Sequence, residues 1–308
     1  MGSGFLRLLE IGYSVNITAY VPCYNAERYV AAAIQGLLAQ TRPPDEVLII
    51  DDGSIDSTVE LASSFPVRVI CHDSNKGLAA ARNTAFRHAQ YPLVAAVDAD
   101  AVPARDWLER LYHKFTDDNV AAAGGRLIEY FHDTPADCWR CMHLPQGGGE
   151  EGIEITWPSE FRLSGFGTLL RKSAVERVGG YDERYRTNYE DHDMCGKLLR
   201  AGYTLVYEPD AIVRHMKQDS IYSVLRNAWN WNFWGLYYKG HYNRVLRKVL
   251  SNFHASLKCI RQHWKCRRPS LWLIDAILPF LHSYWDLRYY FSSERLPAPP
   301  AENLDEAR

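Results

Sequence analysis

The sequence predicts an α/β fold, with a mainly parallel, Rossmann-like sheet flanked by helices and a helical C-terminal extension. Residues 1–130 alternate short β-rich segments with segments of helical periodicity, a pattern typical of repeated βαβ units. Polar residues directly follow three of the predicted strands, where ligands of open parallel sheets bind. From Ser220 onward the chain has helical character.

The individual elements follow from the hydrophobic periodicity. Strands are predicted at Ile17 to Val21, Glu46 to Ile50, Val67 to Cys71, Leu93 to Val97, Ala121 to Ile128, Thr204 to Tyr207 and Ala211 to Val213. Helices are predicted at Ala26 to Gln40, Ser57 to Ser64, Gly77 to Ala89, Trp107 to Phe115, Ser173 to Val178 and Glu190 to Ala201. Between Phe131 and Phe166 the periodicity fails, which is typical of a binding loop.

These elements divide the chain into four parts. We predict an N-terminal lead over residues 1–15, a globular domain over 16–216, a helical extension over 217–296 and a tail over 297–308. The tail is rich in proline and glutamate, a composition that disfavours a packed structure.

Composition excludes a wholly disordered protein, because 308 residues with 47% hydrophobic and 23% charged side chains can bury a substantial core. The formal net charge of -2 conceals an asymmetry. The segment from Ser220 to Ile274 contains ten Lys and Arg and no Asp or Glu, whereas the remainder has 25 basic and 37 acidic residues. Such a basic segment can meet anionic lipid or nucleic acid.

Cysteine usage and hydropathy predict a cytoplasmic protein without a membrane span. Seven scattered cysteines are typical of a reducing compartment rather than of a disulfide framework. The N-terminal apolar stretch is broken by Arg7 and Glu10, unlike a secretory signal. The late apolar stretch from Leu271 to Phe291 contains Asp275, His282, Asp286 and Arg288, which makes it a poor transmembrane helix.

Three polar segments follow predicted strands and would converge on one edge of the sheet. They are Pro22 to Asn25, Asp51 to Ser54 and Asp98 to Asp100. Each alone is equally well explained as a solvated turn, but their joint placement favours a ligand site. Asp98 and Asp100 flank the small Ala99, so both carboxylates could face one hard cation such as Mg²⁺ or Mn²⁺.

An ordered set of motifs resembles the inverting family 2 glycosyltransferases. The motifs are YVPCYNAERYV, EVLIIDDGSIDST, NKGLAAARNTAFRHA, VAAVDADA, RKSAVERVGGYDERY and YEDHDMCGKLLRAGY, which together span residues 16–216. The resemblance implies a GT-A fold and a hexosyltransferase that uses a nucleoside-diphosphate sugar, most often UDP-linked, with Mn²⁺ or Mg²⁺. Lys197 stands where the family commonly has arginine, which leaves acceptor recognition open.

The resemblance also assigns roles to particular residues. Around the nucleoside and its diphosphate it places Pro22, Tyr24, Glu27, Asp51 or Asp52, Lys76, Gly77 and Arg82. Asp98 would contact the donor sugar or ribose and Asp100 the metal, with His215 as a further metal or phosphate ligand. Arg82 could instead be a helix-surface cation, and a lone histidine such as His215 is often structural.

Glu190 to Asp193 open a predicted helix, where acidic residues also serve as capping and dipole partners. The resemblance points to Asp191 as the catalytic base, since an inverting displacement needs a carboxylate to take the acceptor proton. Glu190 and Asp193 would orient the acceptor or stabilise the helix. The sequence does not separate these two roles.

The basic extension is also rich in aromatic residues, among them Trp229, Trp231, Phe233, Trp234, Tyr237 and Tyr238. Aromatic side chains beside Lys and Arg favour peripheral contact with an anionic membrane on its inner face, which would suit a lipid-linked or cell-surface glycan acceptor. Packing of the aromatics on the protein core explains them equally well. Nucleic-acid binding ranks last, because no recognised module accompanies the charge.

Two other classes of protein compete with this interpretation. A sugar nucleotidyltransferase would need a Gly-rich phosphate loop after the first strand, where this chain has PCYNAERY. A non-catalytic carbohydrate-binding or membrane-scaffold protein would be expected to lose Asp191 or the Asp98–Asp100 pair, and both are present.

Overall fold

The structure is a computed structural model that describes residues 15–144, 148–156, 163–240 and 245–292. The expected lead, apart from Val15, and the expected tail lie outside these residues. The described chain forms two compact units: residues 15–130, 148–156 and 163–217 make the first, and residues 131–144, 218–240 and 245–292 the second.

The first unit contains a nine-stranded mixed sheet. Its strands are β1 (Ile17–Cys23), β2 (Glu46–Asp51), β3 (Arg68–Cys71), β4 (Leu93–Ala96), β5 (Ala101–Pro103), β6 (Val120–Glu129), β7 (Ile153–Ile155), β8 (Thr168–Arg171) and β9 (Thr204–His215). They are ordered β3-β2-β1-β4-β8-β6-β9-β5, and β7 pairs with β9. The first four strands in this order are parallel, whereas β8 is antiparallel to both its neighbours.

Helices cover both faces of this sheet and bury its central strands on both sides. The helices of the unit are α1 (Val30–Leu38), α2 (Thr58–Ser63), α3 (Leu78–His88), α4 (Trp107–Tyr112), α6 (Lys172–Arg177) and α7 (Glu190–Arg200). Side chains of β1 alternate between two cores: Ile17, Ala19 and Val21 pack in the core with α1 and α4, and Tyr20 packs in the core with α3 and α7. The α/β prediction is confirmed, with a mixed sheet.

Most predicted elements agree with the structure within a few residues, but four are new. β5, β7 and β8 have only three or four residues each, too few for a period to be visible in the sequence. The fourth, α5 (Pro135–His143), lies in the expected loop, where Thr134 caps the helix by accepting a hydrogen bond from the Asp137 N–H (3.1 Å). The two short strands predicted near residue 210 form the single strand β9.

The second unit is helical in its described part. It contains α5, α8 (Ile221–Tyr238), a 3₁₀ turn (Pro269–Leu271), α9 (Val245–Lys265) and α10 (Trp272–Phe291). The aromatic residues of α8 serve mainly internal packing: Trp229 and Phe233 are buried and stacked on each other, and the Trp229 indole donates to Asp286. No helix in the described ranges is sufficiently long and apolar to cross a bilayer.

Candidate active site

The carboxyl ends of β1, β2 and β4 bring the predicted acidic residues together. Cys23, the last residue of β1, is paired with Asp51, the last residue of β2, and β4 on the other side of β1 leads into Asp98 and Asp100. Burial, and then the charges of Asp51, Asp98 and Asp100, raise the pKa of the Cys23 thiol. The charges of all three carboxylates are therefore felt at the Cys23 thiol, at the same edge of the sheet.

Asp51 keeps one carboxylate oxygen without a partner. Its Oδ2 atom accepts hydrogen bonds from the backbone N–H groups of Gly53 (3.2 Å) and Ser54 (3.1 Å). Its Oδ1 atom is buried and has no hydrogen-bond partner among the described residues. Buried polar atoms are normally paired, so Oδ1 is well suited to accept a hydrogen bond from a ligand.

The neighbouring Asp52, in contrast, uses both oxygens within the protein. Oδ1 accepts from the Lys76 N–H and Oδ2 from the Gly77 N–H, both at 2.8 Å, and His72 Nδ1 lies 2.7 Å from Oδ1. Gly77 has φ of 100°, and a Cβ there would lie 3.0 Å from the Arg186 backbone, so only glycine fits. Asp52 thus holds the loop before α3, while the Lys76 side chain remains exposed.

The segment after β1 presents a mixed surface. Pro22 is buried within β1, and Tyr24 follows with 51% of its side chain exposed. Glu27 is exposed and accepts a hydrogen bond from the Ser57 N–H (3.0 Å), which connects this segment to the start of α2. An exposed ring beside the carboxyl edge of a parallel sheet is available for stacking on a planar ligand.

Arg82 lies inside the protein and not on the helix surface. Its guanidinium is 1% exposed, and each of its nitrogens donates within the protein: Nε to Glu190 Oε1 (3.2 Å), Nη1 to the Tyr20 hydroxyl (3.1 Å) and Nη2 to Asp98 Oδ1 (3.1 Å). This geometry favours a positioning role, because each of the three guanidinium nitrogens already donates to a protein group.

Strand pairing places His215 between two carboxylates. His215 ends β9, which is antiparallel to β5 (Ala101 opposite His215) and parallel to β6 (Glu129 opposite His215). The imidazole Nε2 lies 3.5 Å from Asp100 Oδ2, and Nδ1 lies 2.9 Å from Glu129 Oε2. Burial opposes ionisation of Asp100 and of His215. Their hydrogen bond and opposite charges nevertheless lower the pKa of Asp100 to about 2 and, with Glu129, raise the pKa of His215 to about 9.

The side chains of Asp100 and His215 are chemically suited to bind a hard divalent cation. Within the described ranges, no three His, Cys, Asp or Glu side chains have the arrangement of a preformed metal site. A cation such as Mg²⁺ or Mn²⁺ requires only one or two carboxylates when substrate phosphates and water complete its shell. Asp100 supplies a carboxylate, and the Nε2 atom of His215 can supply a second ligand when the cation displaces its proton. Glu129 on Nδ1 is the carboxylate partner that metal-binding histidines usually have.

Asp191 is held at the N-terminus of α7 by two backbone groups. Its Oδ2 atom accepts from the Gly165 N–H (2.8 Å) and its Oδ1 atom from the His192 N–H (2.7 Å). Burial raises the pKa of Asp191 despite the nearby Arg82 charge. A Cβ at Gly165 would lie 2.8 Å from an Arg82 nitrogen and 3.0 Å from the Asp191 Cβ, so the close approach requires glycine.

Glu190 differs from Asp191 in its surroundings. Glu190 is 3% exposed, and its Oε2 atom has no hydrogen-bond partner among the described residues. Burial and the charge of Asp191 raise the pKa of Glu190 to about 8, although the Arg82 charge opposes this. Burial thus raises the pKa of both adjacent carboxyl groups, as is common at acid–base sites. Asp191 is the more exposed of the two.

Three residues of this site were missed by sequence reasoning: Tyr20, Glu129 and Gly165. Glu129 follows the same rule that identified the other acids, because it stands at the carboxyl end of a strand. Tyr20 lies in the middle of a strand and Gly165 in an irregular segment, so no sequence signal marks either of them.

The mixed sheet flanked by helices is a fold of the GT-A type, and two solved structures share it. The crystal structure of S. aureus TarS 1-349 in complex with UDP matches over 92% of this chain and 95% of its own, with a TM-score of 0.55 and 18% identity. The mannosyltransferase PcManGT from Pyrobaculum calidifontis, in complex with GDP-Man and Mn²⁺, covers 93% and 78%, with a TM-score of 0.52 and 21% identity.

The chain belongs to glycosyl transferase family 2, whose model matches residues 18–179. The pre-mycofactocin glycosyltransferase of Mycobacterium tuberculosis is 30% identical over 208 residues, which are 65% of this chain and 42% of that protein. The matched region therefore spans less than half the length of that relative.

Proposed function

We propose that the protein transfers a sugar from a nucleoside-diphosphate sugar, of the UDP-linked type, to an acceptor hydroxyl with inversion at the anomeric carbon. The observation that carries this proposal is the arrangement around Arg82, which ties Asp98 of the donor edge to Glu190, the neighbour of the base Asp191. The donor site and the acceptor site would thus meet at the buried guanidinium of Arg82.

Donor binding is assigned to the carboxyl edge of the sheet. Asp51 would accept a hydrogen bond from the base or ribose through its unpartnered Oδ1 atom, beside Pro22 and with Tyr24 against the base. Asp98 and Ala99 would lie along the ribose and sugar. Glu27, Asp52 and Gly77 would shape the nucleoside site through their intrachain bonds, and Lys76 would reach the diphosphate.

Asp100 and His215 would hold the divalent cation, Mn²⁺ or Mg²⁺, with Asp98 beside them and Glu129 orienting the imidazole. When bound, the cation neutralises charge on the departing nucleoside diphosphate. The role of this chain is to fix the orientation of the two ligands, which the pairing of β9 with β5 and β6 achieves.

Asp191 would take the proton from the acceptor hydroxyl as that oxygen attacks the anomeric carbon and the bond to the diphosphate breaks. Its two backbone hydrogen bonds leave lone pairs for the acceptor and fix the direction of the carboxylate. Glu190 would act as a positioning residue through Arg82. A glycan or lipid-linked acceptor, reached by peripheral contact with an anionic membrane, is the acceptor class that the basic helical unit favours.

The proposal is tested by release of nucleoside diphosphate from a panel of sugar nucleotides, with Mn²⁺, with Mg²⁺ and with a chelator. We expect turnover with at least one donor that the chelator abolishes. Glu129→Gln should raise the Mn²⁺ concentration for half-maximal rate about 10–100-fold. Asp210→Asn, an exposed acid on β9, the strand that ends at His215, is the matched control. Absence of both binding and turnover for every donor would favour a scaffold protein.

The rate should also depend on pH through Asp191. Because only its carboxylate can accept a proton, activity is present above the pKa of Asp191 and is lost as the pH falls through it. Burial raises this pKa, so the acid limb of kcat/KM should lie at higher pH than for an exposed aspartate. A rate that stays constant down to the pH range of exposed aspartates would contradict this assignment.

A further inference from the structure

Helices α9 and α10 of the second unit bury several polar side chains, beside the apolar Ile274, Leu278 and Trp285, while many of their large apolar side chains are exposed. The buried polar side chains are Asn252, Ser256 and His263 on α9 and Asp275, His282, Ser283 and Asp286 on α10. Helix pairs in water have the opposite arrangement, with apolar side chains between them and polar ones outside. So many large exposed apolar side chains on one pair of helices indicate an interaction surface.

Two buried aspartates organise the polar side of the pair. Asp286 accepts hydrogen bonds from Asn252 Nδ2 and from the Trp229 indole, both at 2.9 Å. Asp275 lies 2.6 Å from His263 Nδ1 and accepts from the Trp139 indole (2.9 Å). These groups are well satisfied inside the unit, so the inward direction of the polar side chains is a built feature of the fold.

The outward side carries one apolar stripe on each helix. On α9 the stripe is Leu250, Phe253, Leu257 and Trp264, and on α10 it is Leu273, Phe280, Tyr284, Leu287 and Phe291. All nine side chains are exposed, at spacings of three, four or seven residues that keep each stripe on one helix face. The rings of Phe253 and Phe280 meet at 5.6 Å, which joins the two stripes into one surface. We call this surface the apolar hairpin face.

Cationic side chains border the apolar hairpin face. Lys258, Arg261 and Lys265 are exposed along α9, and Arg267 and Arg268 are exposed in the turn before α10. The sequence from Ser220 to Ile274 contains no acidic residue that could offset them. An apolar stripe beside Lys and Arg is the pattern of helices that lie in the plane of an anionic bilayer surface.

We propose that the apolar hairpin face inserts into the headgroup region of an anionic membrane, with α9 and α10 lying along the surface. The polar side chains between the helices are unsuited to a pair of helices that crosses the bilayer. They are suited to helices that lie in the headgroup region, because their hydrogen-bond partners lie within the unit. The helices of 21 and 20 residues would each extend about 30 Å along the bilayer. This inference deepens the membrane contact of the proposed function and does not rest on the donor chemistry.

The test is flotation of the full chain with vesicles of phosphatidylcholine alone or mixed with phosphatidylglycerol. We expect binding to the mixed vesicles that high salt weakens. The apolar variant Leu250→Gln/Leu257→Gln/Phe280→Gln should lower the partition coefficient at least about tenfold. Its matched control is Ile55→Gln, an apolar side chain 91% exposed in the first unit, which should bind as the wild type does.

The basic variant Lys258→Gln/Arg261→Gln/Lys265→Gln should lose about 100-fold in partition into the anionic vesicles and nothing with neutral ones. Circular dichroism and donor hydrolysis verify that each variant is folded. Because donor hydrolysis is measured without lipid, a failure of the transfer proposal is distinguished from a failure of membrane binding. A wild type that fails to float would overturn the inference, as would a dimer in sedimentation equilibrium that the apolar variant dissociates, since a second copy would then cover the face.

Discussion

Asp191→Asn should lower kcat of sugar transfer about 10²–10⁴-fold while leaving the dissociation constant of the donor unchanged. The substitution keeps the shape of the side chain, and its amide oxygen can still accept the Gly165 hydrogen bond. It removes the ability to take the acceptor proton, together with the hydrogen bond from the His192 N–H, because an amide has only one acceptor oxygen. Single-turnover rates and donor titration by calorimetry measure the two quantities separately.

The matched control for this variant is Asp193→Asn, in the same turn of α7. Asp193 is fully buried and paired with Lys197 at 2.8 Å, so its loss should reduce stability rather than kcat. Turnover of Asp191→Asn within a few-fold of the wild type would exclude Asp191 as the base. An equal loss of donor affinity would instead place Asp191 in the donor site.

Arg82→Met should lower the free energy of unfolding by about 3–5 kcal/mol, because Glu190 and Asp98 then lose the cation between them. Arg82→Lys should be intermediate, since a point charge cannot donate to three partners at once. In the surviving folded enzyme, kcat should fall for both variants, because Asp98 and Glu190 are no longer held. Denaturant unfolding and steady-state kinetics of the two variants measure these effects.

Two comparisons separate positioning by Arg82 from general stability. Arg171 is also buried but donates to the backbone carbonyls of Val120 and Asp117, so Arg171→Met should lower stability without changing kcat. Glu190→Gln combined with Arg82→Met should restore part of the lost stability, since the uncompensated carboxylate is then removed. Unchanged kcat in Arg82→Met would contradict the positioning role.

The side chains proposed to contact the membrane differ from those that the aromatic composition of the sequence indicated. The aromatic cluster of α8 favoured the membrane in the sequence, yet most of its rings are buried within the helical unit. The exposed apolar side chains lie instead on α9 and α10, where the sequence analysis emphasised only the charge. Exposure depends on which face of a helix meets its neighbours, and α10 in particular has aromatic and polar residues at similar spacing on both faces.

The acidic edge of the site, in contrast, was accessible from the sequence. Strands β1, β2 and β4 are short apolar segments ended by polar residues, and parallel neighbours bring those ends together. This local rule selected Asp51, Asp98 and Asp100 without any knowledge of distances. The family resemblance added Asp191 and His215, which stand far away in the chain.

The sequence by itself thus determined the α/β class, the family and the acidic residues, because periodicity and strand-end chemistry are local properties. Only the tertiary structure decided that Arg82 is buried between Asp98 and Glu190. It also decided that Asp52 holds a loop, while one oxygen of Asp51 has no hydrogen-bond partner in the described part of the chain. It also added Glu129 beside His215 through strand pairing. Hydrogen-bond partners and burial arise from contacts between residues distant in the chain, and no local pattern encodes them.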